Sequence, residues 1–194
     1  MQEGPDALCE RLATDVDEAF AELVVAHQDL VYGVALRVLR DEHSAQDVAQ
    51  DAFVRAYRAL KRYPRERVLV LRVRPWLARI ALNGARNEIR GRRQHTDIDD
   101  IGAELTAPGE GPLRLAERSD ERRMWARLLA GLPDRYRLAV GLRYIDDLSY
   151  PELAETLGRP LGSVKSDVHR GTALLRAAYD AEQRALGGAQ EAAS

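Results

Sequence analysis

Residues 17–39, DEAFAELVVAHQDLVYGVALRVL, set Phe20, Leu23, Val24, His27, Val31, Val34, Ala35 and Val38 three or four positions apart. An α-helix turns once in about 3.6 residues, so this spacing gathers the apolar side chains on one face and demands a surface to cover them. The next stretch, opening at Ser44 as a candidate cap, repeats the pattern with Val48, Ala52, Phe53, Ala56, Tyr57 and Leu60. Two long amphipathic segments in succession point to helix-on-helix packing. Composition agrees: 45% hydrophobic with only 6% aromatic residues, and a bias to Ala, Leu, Arg and Glu that favours helix over sheet.

Pro64 stops the second helix. The segment YPRERVLVLRVRP reads as a loop or extended connection, and its run VLVLRV would pass for a strand in isolation. A third helix is expected from near Pro75, with Trp76, Leu77, Ile80, Ala81 and Ile89 as its buried stripe and basic residues around the rest. Residues 94–118 then change character, with Pro108, Gly109, Gly111 and Pro112 in an acidic context that marks a domain boundary. Beyond it, ERRMWARLLAGL is amphipathic, Pro133 opens another helix, and Asp146–Asp147 mark its end. The expected organisation is all-α. It has a flexible N-terminus (1–16), a helical domain (17–94), an acidic flexible linker (95–119), a second helical domain (120–183) and a flexible tail (184–194).

The second domain carries the sharper motif. Ser149 and Glu152 form a capping box at the start of SYPELAETLG, Gly158 closes that helix, and Ser163 starts the next. Two short helices around a tight Gly-containing turn define a helix-turn-helix, whose second helix enters the DNA major groove. On a helical wheel Val164, Val168, Gly171, Leu175 and Ala178 share the inward face. Ser166, His169 and Ala173 lie opposite, flanked by Lys165 and Arg170, and short donors with cations suit base edges and phosphates. Asp167 falls on a flank near the helix N-terminus, within reach of Arg170. It stands either as a bystander favoured by the helix dipole or as a specificity residue accepting from cytosine N4.

The net charge of -2 conceals three blocks. Residues 1–51 hold 3 Arg against 12 acids, residues 61–93 hold 11 Lys and Arg against 2, and residues 94–121 hold 2 Arg against 8. An acidic first block is repelled by nucleic acid and better suited to a protein surface, whereas the basic block suits phosphates. Chemistry of other kinds finds little support. His27, His43, His95 and His169 show neither ligand nor triad spacing, and Cys9 has no second thiol. No catalytic residue, metal or cofactor is therefore expected, and Cys9 reads as incidental in a mobile terminus. No run approaches the roughly 18 apolar residues of a membrane span, and the acidic start is unlike a signal peptide, so a cytosolic protein without a membrane span is expected.

These segments resemble, in order, the conserved regions of a bacterial RNA polymerase sigma factor of the extracytoplasmic-function class, which keeps only domains 2 and 4. SAQDVAQDAFVRAYRAL resembles the polymerase-binding helix of region 2.2, and VRPWLARIALNGARNEIRGRR the promoter-melting and -10-reading helix of regions 2.3 and 2.4. LPDRYRLAVGLRYIDDLSYPELAETLGRPLGSVKSDVHRGTALLR resembles region 4, which reads the -35 element. The resemblance covers roughly residues 17 to 180. It implies transcription initiation with core RNA polymerase (clamp coiled coil and flap), promoter DNA and an anti-sigma protein as partners.

Carried onto these positions, it implies polymerase contacts at Asp47, Gln50 and Asp51. Contacts to the -10 element or to melting DNA fall at Trp76, Asn83, Arg86, Asn87, Arg90, Arg92 and Arg93. Contacts to the -35 element fall at Ser163, Lys165, Ser166, Asp167, His169 and Arg170. Trp76 fits core packing as well as base stacking. Two departures stand out: the apolar 63–74 segment where the family has a shorter polar loop, and Asp167 where relatives usually have Arg. Both leave room for an alternative, a sigma-like decoy that binds an anti-sigma protein without initiating transcription. An ordinary dimeric helix-turn-helix repressor is a third reading, opposed by the polymerase-binding motif.

Overall fold

The computed structural model describes residues 7–96 and 119–191, with side chains over 7–92 and 124–184. Every regular element among these residues is a helix. In chain order they are α1 (Ala7–Thr14), α2 (Val16–Leu39), α3 (Glu42–Leu60), α4 (Arg65–Leu69), α5 (Val73–Thr96), α6 (Ser119–Ala130), α7 (Asp134–Tyr144), α8 (Tyr150–Leu157) and α9 (Leu161–Glu191). The chain divides into two compact units, one built on α1–α5 and the other on α6, α7, the start of α8, and α9.

The first unit is a bundle in which α2, α3 and α5 pack against one another. Leu23, Val31 and Val34 of α2, Val48 and Leu60 of α3, and Leu77 and Leu82 of α5 form its interior. Ala35, Ala45, Ala52, Ala56, Ala78, Ala81 and Ala85 are also buried there, and such small side chains let helix axes approach closely. Local signals set the ends. The Asp15 carboxylate accepts from the backbone N–H of Asp17 at 2.8 Å and so starts α2. The helix ends at Arg40, which adopts the left-handed conformation (φ 56) and donates its N–H to the Leu36 carbonyl. Among the described residues α2 is long and apolar enough to cross a membrane by length and composition alone, a test that a core helix of a bundle also passes. The buried face of α2 is covered by α3 and α5.

Four expectations in this unit are corrected. Asp41, not Ser44, caps α3: its carboxylate accepts from the Ser44 N–H at 2.9 Å and also from the Ser44 hydroxyl, so Ser44 sits inside the first turn. Residues 7–14 are helical rather than a flexible arm, because Leu8 and Leu12, one turn apart, are buried against the bundle. Cys9 is buried with them, its thiol 3.4 Å from the Leu71 carbonyl. The 63–74 connection contains α4, and α5 begins at Val73. Pro75 then lies in the first turn of α5, where its missing N–H costs no intrahelical bond. The strand-like run splits among these pieces, with Val68 and Val73 turned inward and Val70 left exposed.

In the second unit α7 packs along α9. Leu138, Val140 and Leu142 of α7, Leu148 and Leu153, and Val164 and Val168 of α9 fill the interior. Gly171 permits the close approach: a Cβ there would stand 2.6 Å from Val140 Cγ2 and 3.2 Å from Tyr136 Cβ. The Ser149–Glu152 box forms as its sequence predicts, the Glu152 carboxylate accepting from the Ser149 N–H at 2.8 Å and hydroxyl at 2.6 Å. Gly158 follows α8 with φ +63, a left-handed position that suits glycine. Arg137 is buried and donates to the carbonyl of Leu132 at 3.1 Å and to Asp134 at 2.6 Å, closing the chain between α6 and α7. The last helix begins at Leu161 and stays helical to Glu191, beyond the expected end at 183. The expected linker falls largely on residues 97–118, outside those described.

Candidate nucleic-acid interface

The first turns of α9 present the expected outward face. Lys165, His169 and Arg170 are exposed and Ser163 and Ser166 half-buried, while Val164, Val168 and Gly171 are buried beneath them. Lys165 extends over the Tyr150 ring, Nζ 5.8 Å from its centroid, and Arg143 approaches the same ring at 5.5 Å. Such cation–π contacts hold a long cationic stem in place without neutralising it.

Asp167 does not belong to this face. It is 1% exposed, and its Oδ1 accepts from Arg135 of α7 at 2.5 Å while Oδ2 accepts from Arg159 in the turn before α9. Neither partner is the Arg170 expected from the wheel. Burial pushes its pKa up, but the hydrogen bonds and charges of Arg135 and Arg159 outweigh this and hold it below the usual aspartate value. The carboxylate is thus ionised and enclosed, and cannot meet a base edge while it holds both arginines.

On α5, Asn83, Arg86, Asn87 and Arg90 are exposed, on the side away from buried Leu82 and Ala85. Arg90 donates to the Asn87 side-chain oxygen at 2.9 Å, fixing two of these groups relative to each other. Arg92 turns back toward α3: it meets Glu88 at 3.1 Å, Asp41 at 3.7 Å and the Ser44 hydroxyl. Asp41 is held below its usual pKa, chiefly by the Ser44 hydroxyl, then by the Ser44 N–H, with Arg92 adding. The Arg93 side chain lies outside the described residues.

Trp76 is half-buried, its ring 6.1 Å from that of Tyr63, and Arg67 lies 3.7 Å over the other aromatic. Tyr63 and Arg67 were missed by the sequence reading. Tyr63 just before Pro64 and Arg67 three residues after it were the available signal, masked by the apolar run that follows.

On α3, Asp47, Gln50 and Asp51 are exposed together. Asp47 lies 3.7 Å from His43 and Asp51 pairs with Arg55 at 2.6 Å. Of the three, Gln50 lines a groove of about 550 Å³ between α2 and α3, with Phe20, Val24, Tyr32, Phe53 and Tyr57 among others. Tyr57 donates to Asp17 at 2.6 Å and Lys61 meets it at 2.9 Å, which keeps the Asp17 carboxyl below its usual range. In the second unit a groove of about 650 Å³ opens among Trp125, Leu129, Val140, Tyr144, Ile145 and Leu175, with Tyr144 and Ile145 exposed. Among the described residues no group of three or more His, Cys, Asp or Glu is placed to hold a metal ion.

Known proteins share this arrangement. The family model for Sigma-70 region 2 matches residues 23–95, and that for Sigma-70, region 4 matches residues 122–175. The chain is 33% identical to the ECF RNA polymerase sigma factor SigW of Bacillus subtilis, covering 82% of this chain and 88% of that one. It is 34% identical to the RNA polymerase sigma-H factor of Pseudomonas aeruginosa, covering 87% and 90%, and 34% identical to the ECF RNA polymerase sigma-E factor of Escherichia coli K12, covering 84% and 87%. Among solved structures it resembles CnrH in complex with the cytosolic domain of CnrY (TM-score 0.63, 28% identity, 90% of this chain and 96% of that one). The fold is also that of the sigma factor RpoE in complex with the anti-sigma factor NepR from Bartonella quintana (TM-score 0.67, 21% identity, 83% and 96%). The chain belongs to the sigma-70 family, as an RNA polymerase sigma factor of the ECF class.

Proposed function

We propose that this sigma factor binds core RNA polymerase and directs promoter-specific initiation, with α9 on the -35 element and α5 on the -10 element. The observation that carries the reading is the α9 face: Lys165, Ser166, His169 and Arg170 point away from a helix whose other side is buried, behind a formed capping box. The cations supply sequence-independent attraction and the short polar side chains can read base edges. The exposed Asn83, Arg86, Asn87 and Arg90 give α5 the same two capabilities. The Arg67–Tyr63–Trp76 row offers aromatic faces on which an unpaired base can stack, which suits capture of melted DNA. No covalent step belongs to the sigma factor; nucleotide addition is the polymerase's.

The α3 surface around Asp47, Gln50 and Asp51, with its apolar groove, is the docking site for the polymerase clamp. The exposed Tyr144–Ile145 groove of the second unit meets the flap. The same apolar surfaces suit an anti-sigma protein, the kind of partner present in the RpoE–NepR structure. The protein acts where core polymerase and DNA are, in the cytoplasm.

The test is single-round run-off transcription with purified core polymerase on candidate promoters. Transcripts that depend on the added chain are expected. Core binding without a transcript from any promoter would favour the decoy, and absence of core binding would refute the reading.

A further inference from the structure

Asp167 is the residue of α9 that the DNA-reading function does not absorb. Its carboxylate is enclosed, and its two guanidinium partners come from different elements, Arg135 from the first turn of α7 and Arg159 from the turn ahead of α9. Both arginines reach solvent, with 51% and 34% of their side chains exposed against 1% for Asp167. Arg159 lies four residues before Ser163, at the end of α9 expected to enter the groove. The two oxygens that Asp167 offers are the same kind of acceptor that a DNA phosphate offers to arginine. Bound to Asp167, the pair carries a net charge of one instead of two, and its guanidiniums are aimed at the protein.

We propose that Asp167 is a positioning residue that sets the selectivity of the -35 helix, fixing α9 against α7 and keeping Arg135 and Arg159 off the DNA backbone. Promoter choice then rests on Ser166 and His169 at base edges, with the sequence-independent attraction limited to Lys165 and Arg170. The physical reason is the division between phosphate and base contacts. Phosphate contacts strengthen binding to every site alike, so a protein that adds them gains affinity for wrong sites and loses little by misplacing its reading helix. The proposal rests on α9 being the -35 reader and says what tunes that reader.

The test uses holoenzymes reconstituted from core polymerase and the full chain: wild type, Asp167→Asn, and the triple variant Asp167→Asn/Arg135→Gln/Arg159→Gln. Each is bound to a duplex pool randomised across the -35 region, with bound sequences read out. Each is also titrated at several salt concentrations against one fixed duplex without a selected site. For Asp167→Asn the fixed duplex is expected to bind about fivefold tighter, with the slope of log affinity against log salt steeper by up to ~0.9 per arginine freed. Enrichment of preferred over random -35 sequences falls, with the preferred bases unchanged.

The triple variant keeps the wild-type salt slope, because the arginines it removes touch no phosphate. A triple variant whose slope drops by ~0.9 per arginine would show that they already contact DNA, and would overturn the proposal even where the single variant does not fold. So would an unchanged slope and enrichment in Asp167→Asn, or a switch of the preferred base at one position. A wild-type holoenzyme that enriches no -35 sequence refutes the -35 reading itself, a result distinct from all of these.

Discussion

Each unit ties the helix proposed to meet DNA to a neighbour with an ion pair, and the two ties differ in burial. In the first unit Arg92 at the end of α5 meets Asp41 at the start of α3 at 3.7 Å, and both side chains are 48% exposed. In the second, Asp167 at 1% exposure holds Arg135 and Arg159. An exposed pair is screened by water and salt and contributes about 0–1 kcal/mol. A buried charge that loses its partner cannot recover its hydration, so breaking such a pair costs about 3–5 kcal/mol. The α5 tie is therefore adjustable, while the α9 tie is part of the fold.

The largest expected effect follows from that asymmetry. Arg135→Gln/Arg159→Gln leaves the Asp167 carboxylate buried with neutral neighbours and should destabilise the second unit by about 3–5 kcal/mol. Thermal unfolding followed at Trp125, which stacks on Tyr179 with centroids 5.2 Å apart, measures it in a Trp76→Phe background. Acid probes the same contact. The folded-state pKa of Asp167 lies below the ordinary 3.8, so its contribution is fully present above that value and is lost as pH falls through the depressed one. The second unit should therefore lose stability on acidification below about pH 4, and Asp167→Asn should flatten that part of the profile.

Gly171→Ala comes next. Its Cβ would enter the space of Val140 Cγ2 and the Tyr136 backbone oxygen, and overpacking of this kind costs about 1–3 kcal/mol. Chemical denaturation should show the loss in the second unit alone. Ser149→Ala removes the hydroxyl that meets Glu152 and should cost about 1 kcal/mol in the same assay. Smallest is Arg92→Ala, at most about 1 kcal/mol in the first unit at low salt and nothing measurable at 1 M salt. A large, salt-insensitive loss there would erase the contrast between the two ties.

Much of the fold was legible because the relevant signals are local. The 3–4 spacing over residues 17–60 identified α2 and α3, and the Ser149–Glu152 pair marked the start of α8 where the structure has it. What escaped depends on neighbours distant in sequence. Leu8 and Leu12 give too short a pattern to declare α1, which is stabilised by burial against the bundle. The β-branched run at 68–73 reads as strand until packing divides it between α4 and α5.

Asp167 is the most instructive case. At about 100° per residue it stands only about 40° from Gly171, at the edge of the inward stripe. A wheel shows which way a side chain leans but not what covers it. Gly171 lets α7 come close, and α7 brings Arg135, 32 residues away in sequence, onto the carboxylate. Of the site residues, the exposed positions on α3, α5 and α9 followed from periodicity, whereas the engagement of Arg92 with the α3 cap and the Tyr63–Arg67 pair did not.

The division of labour between the units is tested most directly by single-round run-off transcription combined with permanganate mapping of melted DNA. Holoenzymes would carry either Lys165→Ala/Arg170→Ala or Asn83→Ala/Arg86→Ala. Both variants should bind core polymerase as the wild type does and lose most of the transcript. The first should fail at promoter binding, with loss rescued at high DNA concentration, and the second at opening, with DNA bound but thymines near -10 unreactive. Wild-type transcript levels from either variant, or loss of core binding in both, would contradict the account.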